Sequence, residues 1–244
     1  MPSDLFAKNY FTASGVTDVG VLRKNNEDAF LCLPDYGCFV ISDGMGGGNA
    51  GEVASTMITN GVKNKIVASD LTPVKRQNSV VNAIYSANAD IAAFASKKGY
   101  ASMGATVICL LLDPWDPHRA NVYHAGDSRL YRLRSNSLEC LTADHTVSAA
   151  SGVPDSELPK YMRGVLTNVV GVASKFYLEC HEIEIKSEDT YLLCTDGLYR
   201  QIEEPEIHKM IVYADDSSPD AILDSFIDTA NSSGGVDNIS GVMV

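Results

Sequence analysis

The sequence predicts an α+β fold: a central antiparallel β-sandwich flanked by α-helices, in four αββα layers. Two observations predict it. Strand-like runs fill the opening and the middle of the chain, and helical patterns come in pairs after each group of strands. The two kinds do not alternate one by one, as a doubly wound parallel sheet would require, so the sheets are expected to pack on each other with helices outside. At 244 residues, with no internal repeat and no low-complexity linker, the chain suits a single domain over 1–244.

Phe11 to Ser14 reads as the first strand. Asp28 to Leu33 and Cys38 to Ser42 are strand runs joined by the turn Pro34-Asp-Tyr-Gly37, a hairpin signal. A glycine-rich turn is expected at Gly44 to Gly48. From Ala50 to Val67, the residues Val53, Met57, Ile58, Val62 and Ile66 recur at helical spacing. From Pro73 to Ser96, Val74, Val81, Ile84, Ala87, Ile91 and Phe94 do the same, with a proline at the start. Each helix is amphipathic and lays one face on a core. Further strands are predicted at Gly104 to Leu112, Ala120 to Ala125, Arg129 to Arg134 and Leu138 to Leu141. Phe176 to Ile185 and Thr190 to Thr195 read as another hairpin. Helices over Glu203 to Ala214 and Pro219 to Asn231 precede a last strand at Ile239 to Val244.

A hydrophobic fraction of 45% with 20% charged residues fits a soluble protein with a sizeable core. The formal charge of −12 and the absence of any basic run argue against nucleic acid, whose phosphates need clustered Lys and Arg. Met1 to Tyr10 lacks the basic-then-apolar pattern of a signal peptide. The longest apolar run, Thr106 to Leu112, is far short of the roughly 20 residues of a membrane span. The six cysteines (Cys32, Cys38, Cys109, Cys140, Cys180, Cys194) have no Cys-x-x-Cys pair and are expected to be buried free thiols of a reduced cytosol. A cytoplasmic, monomeric enzyme is the expectation.

Four segments place an aspartate at the end of an apolar run, followed closely by Gly, Ser or Asn: Ser42-Asp43-Gly44, Gly126-Asp127-Ser128, Thr195-Asp196-Gly197 and Val236-Asp237-Asn238. A fifth acidic segment, Asn26-Glu27-Asp28, enters a strand. Taken alone, Asp-Gly is a turn signature. Four strand-end acids gathered at one sheet edge would instead repel one another unless a cation joined them. Such an all-oxygen site suits a hard divalent ion, magnesium or manganese. Spacing alone does not say whether they meet.

At this point the ordered series resembles a family. Asp18-Val-Gly20-x-x-Arg23-x-x-Asn26-Glu27-Asp28, Ser42-Asp43-Gly44-Met45-Gly46-Gly47, Gly104-Ala-Thr106, Gly126-Asp127-Ser128-Arg129, Leu141-Thr-Ala-Asp144-His145, Thr195-Asp196-Gly197-Leu198 and Asp237-Asn238-Ile resemble the motifs of the metal-dependent (type 2C) Ser/Thr phosphatases, with Met45 resembling the bacterial branch. The resemblance implies a Mn2+ or Mg2+ pair, with Asp43 bridging the ions and the Gly44 carbonyl on one of them. It implies Asp196 and Asp237 on the other side, Glu27 acting through water, Asp127 at a weaker third ion, and Arg23 binding the substrate phosphate. A water shared by the two ions would be acidified and aimed at phosphorus. The implied substrates are phosphoserine and phosphothreonine proteins, in opposition to a Ser/Thr kinase of bacterial signalling.

Three positions depart from the family pattern. Met45 stands where many eukaryotic members carry histidine, so either water serves as the acid or leaving-group help is weaker. The segment Val147 to Met162 reads as a shortened flap, which bears on substrate access and the third ion. Asn168 stands where relatives often carry arginine. His145 and His124 are expected to be structural, and no phosphocysteine intermediate is expected. The alternatives are a phosphatase-like scaffold without activity and a hydrolase of small phosphate esters; retention of Arg23, Asp43, Asp196 and Asp237 speaks against the first.

Overall fold

The computed structural model describes residues 11–46, 50–68, 72–100, 102–172, 176–214 and 217–244. Two antiparallel sheets form its centre. One runs in the order β1 (Ser14–Asp18), β11 (Ile239–Met243), β10 (Thr190–Cys194), β7 (Arg129–Arg134), β8 (Ser137–Cys140). The other runs β2 (Asp28–Leu33), β3 (Cys38–Gly46), β5 (Val107–Leu112), β6 (Arg119–Ala125), β9 (Glu179–Glu184), with β4 (Met103–Ala105) paired to the end of β3. The long helices are α1 (Ala50–Ala68), α2 (Pro73–Lys98), α5 (Glu204–Val212) and α6 (Pro219–Ser232); α3 (Val147–Ser151) and α4 (Asp196–Tyr199) are single turns.

Side-chain alternation along the strands builds the layers. Phe39 and Ile41 of β3, with Ile108 and Leu110 of β5, face Leu130, Leu193 and Val242 of the other sheet and form the centre of the sandwich. The alternate residues Cys38 and Val40 point outward, onto Ile58, Val62 and Ile66 of α1 and Ile84 and Ile91 of α2. Each of these fully buried aliphatic side chains contributes roughly 1.5–3 kcal/mol of transfer free energy. On the opposite flank Leu192, Cys194 and Ile239 meet Ile207, Leu223 and Phe226 of α5 and α6. The four-layer αββα order is therefore as expected.

Several local expectations change. The first strand begins at Ser14 rather than Phe11, because Phe11 packs its ring edge-on against Phe39, at 5.9 Å, inside the sandwich. The expected strand Gly104 to Leu112 breaks at Thr106 into β4 and β5. β3 runs on through Asp43 and Gly44 to Gly46, replacing the start of the expected glycine turn; Gly47 and Gly48 lie outside the described residues, as does Met1 to Tyr10. β9 and β10 are not a hairpin: β9 is the edge strand beside β6, and β10 lies between β11 and β7 in the other sheet. All six cysteines are free, but only Cys38, Cys109 and Cys194 are buried; Cys32 and Cys140 are half-buried, and Cys180 is exposed on the edge strand. Among the described residues no helix is long and apolar enough to cross a membrane.

Candidate functional site

Every acid singled out in the sequence comes to one edge of the sandwich, and both sheets supply them. Asp43 sits on β3 opposite Asp28 of β2. Asp127 follows β6, Asp196 opens α4 directly after β10, and Asp237 precedes β11. The loop from β1 to β2 brings Arg23 over them, where its Nη2 donates to Asp237 Oδ2 at 2.7 Å.

Local chain geometry fixes these positions. A Cβ on Gly44 would fall 2.2 Å from the Gly51 carbonyl of α1 and 2.5 Å from that of Glu27, so only glycine lets the helix lie this close to the strand. Gly51 is bare for a related reason: Glu27 Oε2 lies 2.6 Å from where its Cβ would be. Thr106, at the β4–β5 break, takes the Asp43 backbone N–H on its hydroxyl at 2.9 Å and returns its own N–H to the Asp43 carbonyl at 2.8 Å. Asn238 holds the other side. Its Oδ1 accepts the Glu27 N–H at 2.8 Å, and its Nδ2 donates to the carbonyls of Val19 and Asn25.

The electrostatics call for cations. Asp43 is held well above the ordinary carboxylate range, first by burial and then by Asp28, Asp196, Asp127 and Asp237. Asp127 is pushed to about 7, by burial and by Asp196, against the lowering effect of Arg200. Asp196 is also raised, mainly by burial and further by Asp237, against the lowering effect of Arg200. Glu27 is raised too, by burial more than by Asp237 and Glu52, while Arg23 lowers it. Among the described residues Arg23 and Arg200 are the arginines paired with these acids, and no Lys or Arg ion pair reaches Asp43. The donor chemistry, carboxylates with flanking main-chain carbonyls, fits hard divalent ions.

The one set of three ligand-type side chains that does converge within 4.8 Å, among the described residues, is His124, His145 and Glu179. Hydrogen bonding argues against a metal there. His145 Nδ1 receives the Gly126 N–H at 3.1 Å and the Asn168 amide at 3.1 Å, so it is an acceptor and Nε2 carries the proton, 3.2 Å from Glu179 Oε1. His145 thus pins the turn that presents Asp127. His124 is fully buried, but it is not the satisfied core residue expected: neither ring nitrogen makes a hydrogen bond, and Glu179 lies 3.7 Å away. Asn168 ties His145 to the backbone of Tyr177 through paired bonds.

Sequence reasoning missed Asp28 as a buried acid and Arg200 altogether. Asp28 betrays itself only through register, as the residue opposite Asp43. Arg200 follows Cys194 at Cys-x5-Arg spacing, which the sequence reading overlooked. The structure removes the phosphocysteine implication: Cys194 is buried within β10, its thiol pushed up by burial, and Arg200 turns to the acids. The segment read as a flap holds α3 and two 3-10 turns, Asp155–Glu157 and Lys160–Met162. A groove of about 550 Å³ between α1 and α2, lined by Met57, Ala87 and Phe94, contains none of the acids.

Comparison with known proteins agrees with this fold. The family described as Stage II sporulation protein E (SpoIIE) matches residues 34–240. The serine/threonine phosphatase stp of Listeria welshimeri is 30% identical over 239 residues, covering 93% of each chain. PppA, a key regulatory component of T6SS in Pseudomonas aeruginosa, superposes with a TM-score of 0.83 at 29% identity, covering 95% of each chain. The catalytic domain of the phosphatase PstP, solved in complex with 2 manganese ions, superposes with a TM-score of 0.79 at 25% identity, over 95% of this chain and 96% of that one. The chain therefore belongs to the SpoIIE/PP2C-type family of metal-dependent serine/threonine protein phosphatases, and it is an enzyme of that class.

Proposed function

We propose that this chain hydrolyses phosphoserine and phosphothreonine in proteins with a pair of Mn2+ or Mg2+ ions, as a single cytoplasmic, monomeric catalytic unit opposing a Ser/Thr kinase. The observation that carries the reading is Asp43, which lies among Asp28, Asp196, Asp127 and Asp237, is raised first by burial and then by these carboxylates, and is reached by no Lys or Arg ion pair among the described residues. Asp43, the Gly44 carbonyl, Asp196 and Asp237 would hold the ions, with Glu27 acting through water. Bound there, divalent ions supply Lewis acidity and neutralise the phosphate.

The chain's own groups do the rest. Arg23, half exposed and already turned toward Asp237, offers a planar fork to phosphate oxygens while leaving the acids in place. Thr106 and Asn238 keep Asp43 and Glu27 from drifting when charge changes at the edge. Met45, partly buried on β3, carries no exchangeable proton, and His145 is committed to Gly126, so the leaving oxygen takes its proton from water.

The test is Mn2+-dependent release of phosphate from a panel of phosphoserine, phosphothreonine and phosphotyrosine peptides, beside an aryl phosphate. Asp43→Ala and Asp237→Ala should abolish turnover in folded protein. Activity retained in either variant, or surviving thorough chelation, refutes the site. Cleavage of small esters without any phosphopeptide refutes the substrate class.

A further inference from the structure

Arg200 stands one turn beyond Asp196, with its backbone N–H on the Asp196 carbonyl at 2.9 Å. That turn sends its side chain back along the acidic edge. Nε lies 3.2 Å from Asp196 Oδ2, and Nη2 donates to Asp127 Oδ2 at 3.1 Å. The guanidinium therefore spans two carboxylates from different turns, and the Asp127 side chain it reaches is only 6% exposed. Among the described residues it is the cation paired with Asp127.

Two further contacts show that the place is built. The Tyr199 hydroxyl donates to the Asp127 carbonyl at 3.0 Å, and the Tyr199 ring is covered by the Arg129 guanidinium at 3.8 Å, itself held two-pronged by Asp144. From the flap side, Gly164 passes beside Arg200, where a Cβ would lie 3.6 Å from Nη1. Gly164 is held there through its N–H to the Asp155 carboxylate, at 3.2 Å. The backbone just beyond the Val147 to Met162 segment therefore runs beside the guanidinium.

We propose that Arg200 is a tethered cation occupying the place of a third metal ion, so that the enzyme binds two ions and no more. The inference rests on the two-ion reading above. A cation on the chain acts at a high effective concentration, so a weakly held free ion must first displace it from Asp127 and Asp196. The planar fork also satisfies both carboxylates at once, which a single hydrated ion would have to do through exchangeable waters.

The experiment is Mn2+ titration of the metal-free full chain by calorimetry, with Mn2+ EPR as a second count of bound ions. Wild type should bind two ions. Arg200→Ala and the uncharged, polar Arg200→Gln should each gain a third, with affinity at that place improved by about tenfold or more, the scale of a lost charged hydrogen bond. The extra ion should vanish in Arg200→Gln combined with Asp127→Asn. Two ions with unchanged affinities in both folded Arg200 variants overturn the proposal, as does a wild type that binds three ions with the third lost in Asp127→Asn. A wild type that binds no Mn2+ overturns the two-ion reading as well, which keeps the two failures distinct.

Discussion

Asp28 and Asp43 are direct partners in the antiparallel β2–β3 register, so their side chains leave the same face of the sheet and two acids share one edge. Asp28 Oδ2 accepts the hydroxyls of Thr195, at 2.9 Å, and Ser240, at 2.7 Å, which bind its lower side to the other sheet. Burial nevertheless pushes Asp28 to about 7, with Asp196 and Asp237 adding to the rise. Asp28→Asn keeps an acceptor for both hydroxyls and removes the charge. The variant should be more stable than wild type in EDTA at pH 8 and should bind Mn2+ more weakly, read by chemical denaturation and by titration. Equal stability of the two proteins in EDTA would sink this account of Asp28.

Metal removal should matter most at high pH. Asp28 and Asp127 are raised from 3.8 to about 7 in the folded chain. Raised acids contribute stability that is present below the unfolded value and lost as pH rises through the folded one. The metal-free protein should therefore be less stable at pH 8 than at pH 6.5. His124, lowered to about 4 by burial and His145, works in the opposite sense up to and around its ordinary 6.5, and so offsets only a part of the loss at the lower end of this range. Mn2+ at about a hundred times its Kd should return roughly 2.7 kcal/mol per ion bound at pH 8. A stability curve in EDTA that is flat or rising over this range would contradict it.

Arg23→Ala should raise KM for a phosphopeptide about tenfold or more while kcat changes less, because a charged hydrogen bond to phosphate made throughout the reaction is lost. Arg23→Lys should recover only part of the loss, since the fork is gone. An unchanged KM in Arg23→Ala would remove this residue from phosphate binding.

Gly126→Ala should weaken the whole edge from behind. Gly126 has φ +111, and a Cβ there would lie 2.5 Å from the Thr106 side chain. Thr106 carries the bonds to Asp43 N–H and to Ser128 Oγ, the latter at 2.6 Å, so displacing it disturbs Asp43. Backbone strain of this kind costs about 1–3 kcal/mol, and a lower melting temperature should accompany weaker Mn2+ binding. Wild-type values for both would show that the turn can absorb the methyl group.

The acids were legible because each ends an apolar run, and a strand end followed by a turn-former puts a carboxylate where sheet meets solvent. Their meeting was not legible, since it depends on β11 lying between β1 and β10 and on the two sheets sharing this edge, not on spacing along the chain. The helices α1 and α2 were read almost to the residue from their periodicity. The false hairpin at β9 and β10 arose because two adjacent strands joined by a short loop look alike whether they pair or change sheet; only the partners β6 and β7 decide. Arg200 escaped because its one pattern along the chain, Cys-x5-Arg spacing from Cys194, points to a different chemistry from the one its side chain serves. Its meaning comes from Asp127, 73 residues upstream, meeting it in space.

Asp28 and Asp43 belong to one sheet, and Asp196 and Asp237 flank strands of the other. Any ion held between these two groups is a rivet through the seam of the sandwich. Pulling the sheets apart along that seam should require far more force with metal than without it, and a substitution that shears one sheet by a fraction of an ångström should be felt first as lost catalysis, well before the fold gives way.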